Sequence, residues 1–361
     1  MIRIMHFCSD SSIGGAVVTL KRLVFASDKQ SFEHIVVLPK GALYINEFKK
    51  INVQVVEYKN SPDTSFSLQL TLECIGIIQK YRPHIVHTHG FVSARIAGRM
   101  CGVRSLIYTR HTFNEKEYSA AFSVMNRYIT TRVVAVSSAL ISQIVQSGIE
   151  KNNIVLIENG TDKTDIDPNI CVFDDGICNL LYLGRVVWEK GLVCALDAIK
   201  ILNSKEKKVH LYIAGEGGHL PFLKDHAAKI GVYGDVTFLP YQTRDESIEL
   251  FSRCHVAINC SFKNEASSNF IIESLSAGLP IAASSVGGNK YMIDDSIDGK
   301  LYPSGNCRAL ALAVSEIICS SDEYLRYRGN AVKKYNKRFT LEKMKNKYEM
   351  LWRDEYKKYY K

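Results

Sequence analysis

The chain has 361 residues, 46% hydrophobic and 23% charged, an ordinary globular composition that excludes wholesale disorder. At about 150 residues per domain it predicts two domains. Its net charge of +9 sits at one end: residues 323–361 hold 13 basic and 5 acidic side chains, and the near-neutral remainder excludes a generally basic nucleic-acid-binding protein.

Strand and helix signals alternate from the start. MIRIMHFCSD reads as a buried strand over residues 2–7, its apolar run too short for a secretory signal. A polar turn follows, and Gly14-Gly15 open a helix. Lacking side chains, these glycines let backbone N–H groups approach a phosphate or sugar, although a plain tight turn fits as well. The dinucleotide fingerprint, with three glycines at fixed spacing, is absent. Further strands are expected at 34–38, 53–56, 84–87, 105–109, 133–136 and 154–157, with helical spacing over 66–80 and 138–148. In HIVHTHG, which contains His84, the residues His87 and His89 alternate onto one face of a strand end. They would suit a metal pair, but no nearby carboxylate or cysteine completes it, so they read as ordinary polar residues where a strand leaves its sheet. His111 follows the apolar run 106–108 and is expected at a strand's carboxyl end.

The stretch 159–176, NGTDKTDIDPNICVFDDG, is aperiodic and rich in Asp, Asn and Gly, and reads as a linker. Alternation restarts with strands at 180–184, 210–214, 236–239, 255–258 and 280–283. The fold class is therefore α/β, with two doubly wound Rossmann-like domains. Ligands of such sheets bind at the strands' carboxyl ends, so two facing domains predict one interdomain cleft.

Two motifs of the second half carry charge. In LYLGRVVWEKG, residues 181–191, Arg185 and Lys190 flank the turn after the first strand. They suit a diphosphate, one as a planar fork and one as a point charge, with solvated surface charge as the plain alternative. In NEASSNFIIESLSAGLP, residues 264–280, Glu265 and Glu273 lie eight positions apart around a small polar turn. Ser267 or Ser268 would cap a buried helix that includes Phe270. A glycosidase acid and base face each other across a bond. Two carboxylates on one edge of a turn instead clamp two ends of one ligand, with the amides of Ala266, Ser267, Ser268, Asn269 and Phe270 between them. Gly287-Gly288 forms a further strand-to-helix turn.

The tail, 339–361, places Leu341, Met344, Tyr348, Leu351, Trp352 and Tyr356 at helical spacing and leaves its lysines as a basic face. Ten cysteines without a two-residue spacer predict reduced core thiols. No stretch approaches the roughly 18 apolar residues of a membrane span. A cytoplasmic protein is expected, resting at most on the inner face of the cell membrane.

In order, GGA at 14–16, HIVHTH at 84–89, TRH at 109–111, NGTD at 159–162, LGR with KG across 183–191, AGEG at 214–217, Glu265 with Glu273, AGLP at 277–280 and GG at 287–288 resemble the retaining glycosyltransferases of family 4, whose fold is GT-B. The resemblance implies an acceptor-side domain over 1–165, a nucleotide-sugar-binding domain over 166–335, and a basic terminal helix over 336–361 returning to the first domain. It implies that Gly14 and Gly15 lie beside the donor phosphate and the acceptor, and that His111 contacts the donor sugar. Arg185 and Lys190 would hold the diphosphate, Glu265 the sugar hydroxyls and Glu273 the ribose, with no metal or other cofactor. The implied reaction moves a hexose from a UDP- or GDP-sugar to a glycan or lipid-linked glycan, in bacterial surface polysaccharide synthesis, with no nucleic acid as partner. An anionic membrane surface would suit the lysine-rich face, as would plain solvation.

The sequence departs from the family at two places. Glu-Ala-Ser-Ser at 265–268 replaces the usual Glu-Gly-Phe-Gly, and Tyr291 stands where a Glu usually follows the Gly-Gly pair. Both bear on donor-sugar identity. Two other readings use the same residues: a nucleotide-sugar epimerase, which needs acid and base groups but no acceptor, and a non-catalytic nucleotide-sugar-binding protein.

Overall fold

The computed structural model describes residues 1–11, 14–59, 66–113, 120–164, 166, 176–204, 208–263 and 265–360. The chain divides into two compact units, Met1–Gly160 with Leu341–Lys361, and Thr161–Thr340. Most of the expected linker, residues 165 and 167–175, lies outside the described residues.

The first unit is built on strands β1 (Ile2–Cys8), β2 (Phe32–Pro39), β3 (Gln54–Tyr58), β4 (Ile85–His89), β5 (Ser105–Arg110), β6 (Arg132–Ala135) and β7 (Ile154–Leu156). Their order is β3-β2-β1-β4-β5-β6-β7, and neighbours run parallel. The second unit has β8 (Cys178–Leu183), β9 (Val209–Ala214), β10 (Val236–Leu239), β11 (Val256–Asn259), β12 (Ile281–Ser284) and β13 (Gly299–Tyr302), in the order β10-β9-β8-β11-β12-β13, again parallel. Parallel strands need helical crossovers that cover both faces, which is why these strands read as near-continuous apolar runs. In the second unit one face packs Leu180 and Ile213 against Leu196 and Val314, and the other packs Leu181 against Phe270 and Leu275. In each sheet the strand order reverses once, between β1 and β4 and between β8 and β11. Such switch points leave a crevice at the strands' carboxyl ends.

The helix Leu341–Tyr360 completes the first unit, burying Met344, Tyr348 and Trp352 with Ile4, Phe32, Ile85 and Ile107. Its buried face also carries two carboxylates that the apolar spacing did not disclose. Glu349 accepts the Asp28 N–H at 2.9 Å. Glu355, 2% exposed, pairs with Arg132 at 3.2 Å and accepts the Ser105 and Thr131 hydroxyls, each at 3.2 Å. The nine described cysteines are thiols outside any disulfide. Among the described residues, no helix is long and apolar enough to cross a membrane.

Candidate functional site

The second unit's switch point is framed by the loops leaving β8 and β11. The β8 loop is held by backbone: Gly184 N–H donates to the Ala214 carbonyl at 3.0 Å, and Val186 N–H to the Glu216 carbonyl at 2.8 Å. Gly215 is required by this approach, since a Cβ there would sit 2.0 Å from the Gly184 carbonyl oxygen. The AGEG segment is thus a backbone clamp on the loop that carries Arg185. The Tyr182 hydroxyl adds a third tie, donating to the Arg185 carbonyl at 2.8 Å. Burial, followed by the nearby Glu265 charge, raises its ionisation well above the usual range and keeps it a donor. With its backbone so fixed, the Arg185 side chain stands exposed.

A short turn, Trp188–Lys190, follows, and Gly191 starts the helix Leu192–Asn203 in the left-handed region at φ 62°. A side chain at 191 would also meet the Cys260 carbonyl oxygen at 2.2 Å, so the β8 and β11 loops touch through backbone here. That contact brings Lys190 across the switch point. Its Nζ lies 2.5 Å from Glu265 Oε2, and the Ser261 hydroxyl donates to the same oxygen at 2.7 Å. Glu265 is 6% exposed. A carboxylate this buried needs its partner, because removing one member of a buried pair leaves the other uncompensated.

The loop holding Glu265 is pinned from both sides. The Gly288 N–H donates to the Glu265 carbonyl at 2.7 Å, so the Gly287-Gly288 turn acts as a support. The helix Asn269–Ser276 is capped by Ser268, whose hydroxyl accepts the Ile271 N–H at 3.4 Å and an Asn259 amide N–H at 3.3 Å. Asn289 in turn donates to Asn259 at 3.4 Å and to the Ser284 carbonyl at 3.0 Å. Ala266 and Ser268 are buried, while Ser267 and Asn269 are partly exposed. The Phe270 ring belongs to the core, 6.0 Å from Tyr182 and 6.3 Å from Phe251 between centroids, so only its backbone is at the helix start. Glu273 sits in the second turn of this helix, 9% exposed. Two cations, a capped helix N-terminus and a buried carboxylate therefore share one switch point. That set can bind an anionic group together with hydroxyl donors.

The remaining expected residues lie in the first unit. Gly14 is the N-cap of the helix Gly15–Ala26, without a side-chain capping bond, so both glycines open the helix as expected. Ser12 and Ile13 of that turn lie outside the described residues. His111 directly follows β5, with its Nε2 2.9 Å from His89 Nδ1 and the two rings stacked at 5.2 Å. Burial pushes His111 and His34 down to about 4, His87 to about 3, and His6 and His89 well below the usual imidazole range. The row of histidines is therefore neutral at physiological pH.

Sequence reasoning singled out the charged residues but missed their supports. Ser261, Asn259, Asn289 and Tyr182 carry no motif that marks them. It also missed His6, which sits in an apolar strand one pairing away from His87. No carboxylate or cysteine was expected beside the His87–His89 pair; the pairing adds instead a third imidazole from β1, far away in sequence.

Residues 172–334 match the family model described as glycosyl transferases group 1, and residues 13–165 match the one described as glycosyltransferase family 4. An uncharacterized glycosyltransferase of Methanocaldococcus jannaschii is 23% identical over 271 residues, covering 68% of each chain. A glycogen synthase of Mycobacterium tuberculosis is 25% identical over 265 residues, covering 69% of this chain and 63% of its own length. Among solved structures, an Anabaena protein crystallised with UDP and glucose superposes with a TM-score of 0.81 at 18% identity, over 97% of this chain and 99% of that one.

Proposed function

The chain belongs to the group 1 glycosyltransferases of the GT-B fold, and on that premise we propose that it moves a hexose from a UDP- or GDP-sugar to a glycan or lipid-linked glycan with retention at the anomeric carbon. The observation that best supports this reading is the meeting of Lys190, Glu265 and the Ser268-capped helix start at the β8/β11 switch point.

In this mechanism Arg185 and Lys190 take the charge that grows on the leaving diphosphate, helped by the amides of 266–270. No divalent cation is needed for that neutralisation. Such preorganised donors are the largest single source of rate enhancement in many group transfers. Glu265 takes donor-sugar hydroxyls while its Oε2 stays anchored by Lys190 and Ser261, and Glu273 takes the ribose. His111, neutral and held by His89, contacts the sugar, with Gly14 and Gly15 beside the phosphate and acceptor. The same-face route suits these residues: the acceptor oxygen bonds the anomeric carbon as the bond to the diphosphate breaks, and the departing phosphate oxygen receives the acceptor's proton. The acceptor is a growing bacterial surface glycan. The exposed Lys343, Lys347, Lys357 and Lys358 of the terminal helix hold the enzyme against the anionic inner face of the membrane that carries it.

A thermal-shift panel of UDP- and GDP-sugars tests the reading. A donor that binds only the folded chain stabilises it by about 2.7 kcal/mol at a hundredfold excess over its Kd. We expect one base to raise Tm clearly, and no shift with any donor would refute the proposal. NMR of the product anomer then checks retention, which inversion would exclude.

A further inference from the structure

Beneath the terminal helix, the first sheet carries a row of histidines of which the transfer reaction uses only His111. His6 on β1 pairs in register with His87 on β4, and His89 follows two residues on, on the same face. Relative exposures are 0% for His6 and His87 and 3% for His89. The three rings each bring one nitrogen to within 4.8 Å of the others.

In every ring one nitrogen is engaged and the other is not. His6 Nε2 lies 3.0 Å from His34 Nδ1, His87 Nε2 lies 2.7 Å from the Thr109 hydroxyl, and His89 Nδ1 lies 2.9 Å from His111 Nε2. Their other nitrogens, His6 Nδ1, His87 Nδ1 and His89 Nε2, are buried without a hydrogen-bond partner. A buried polar group without a partner is destabilising, and here three are unsatisfied together. Histidines that bind metal show this division: one nitrogen takes the ion, and a neighbour orients the other.

We propose that His6, His87 and His89 form a site for one divalent first-row transition ion of the zinc class, bound through His6 Nδ1, His87 Nδ1 and His89 Nε2. Imidazole ligands select zinc, cobalt, nickel or copper over magnesium and calcium, and neutral imidazole is the ligating form. Zinc–nitrogen bonds of about 2.0–2.1 Å in a tetrahedron put ligand nitrogens about 3.4 Å apart. Loading therefore draws the three ligating nitrogens closer together, and a water takes the fourth position. His34, Thr109 and His111 are the orienting partners. The ion fixes His89 with its proton on Nδ1, which makes His111 Nε2 the acceptor and places the proton of a neutral His111 on Nδ1. The metal thus sets the tautomer of His111 while the diphosphate, gripped in the other unit, needs none.

The test uses the full chain, stripped with a chelator and dialysed against Zn²⁺ or Co²⁺. One ion per chain is expected by elemental mass spectrometry, with the visible absorption of tetrahedral Co²⁺ and a Tm raised by either ion. His89→Asn and His6→Asn should each lose the stoichiometric ion and its Tm rise, with circular dichroism checking that they fold. Because a substitution in a central strand can unfold the unit, X-ray absorption of the zinc-loaded unmodified chain gives an independent reading, with three imidazole nitrogens expected at about 2.0–2.1 Å. Failure of the unmodified chain to retain an ion would overturn the proposal. So would undiminished binding by a folded variant, or an absorption spectrum without imidazole scatterers.

Discussion

Lys190 and Arg185 are both cations beside one loop, yet the structure gives them different surroundings. Lys190 lies against a buried carboxylate at 2.5 Å, whereas Arg185 points its side chain into solvent from a clamped backbone. In the proposed mechanism, replacing Lys190 with alanine removes a charge from the reaction, and in the structure it leaves Glu265 with the Ser261 hydroxyl. Lys190→Ala should therefore lower kcat/KM about a hundredfold, some 3 kcal/mol, and lower Tm as well. Arg185→Ala should cost a comparable factor in rate with Tm unchanged, because no buried partner is stranded. Nucleoside diphosphate release and a melting curve on each variant separate the two; an Arg185→Ala variant that melts early would contradict this division. At this scale the charged residues were legible, since turn, cap and helix are local and Arg185, Lys190, Glu265, Ser268 and Glu273 sit at spacings those elements dictate. The supports were not. Asn259 meets Asn289, and His6 meets His87, through strand pairings between distant segments, and local spacing does not encode a pairing partner.

Among elements, the strands were legible because each is an apolar run bounded by turn residues, and the observed ends differ from the expected ones by at most two residues. The exception is β13, a four-residue edge strand, Gly299–Tyr302, amid Asp294, Asp295, Asp298 and Lys300. An edge strand with one neighbour needs little apolar sequence, so no run announces it. The helical stretch at 138–148 begins as a tighter turn, Ser138–Leu140, because the Ser137 hydroxyl accepts the Ala139 N–H at 3.3 Å. The terminal helix owes its place to Trp352, fully buried with its ring 5.4 Å from Phe32, 5.4 Å from His34 and 5.8 Å from His6. Trp352→Ala should destabilise the first unit by about 3–5 kcal/mol, read as a lower urea midpoint. A loss below about 1 kcal/mol would mean the helix contributes little to that core.

For the whole molecule, the basic surplus of the last forty residues divides between inside and outside. Arg328 and Lys334 are buried, the latter 2.5 Å from Asp294, while Lys343, Lys347, Lys357 and Lys358 face solvent. Each cation near anionic lipid contributes about 1 kcal/mol, so sedimentation should show the protein on anionic vesicles and releasing with salt; equal binding to neutral vesicles would argue against docking by charge. The path of the chain has a further consequence. The first unit is made of Met1–Gly160 and of Leu341–Lys361, with the second unit encoded between them. Domains form as they emerge from the ribosome. The first unit must therefore wait, with the apolar face around Ile4, Phe32 and Ile107 uncovered, while the second is translated and folds. A chain released at about residue 340 would carry Arg185, Lys190, Glu265 and Glu273 in a complete second unit. Its histidine row would lack Trp352 as a cover, making such a fragment a candidate for chaperone capture rather than a half-active enzyme.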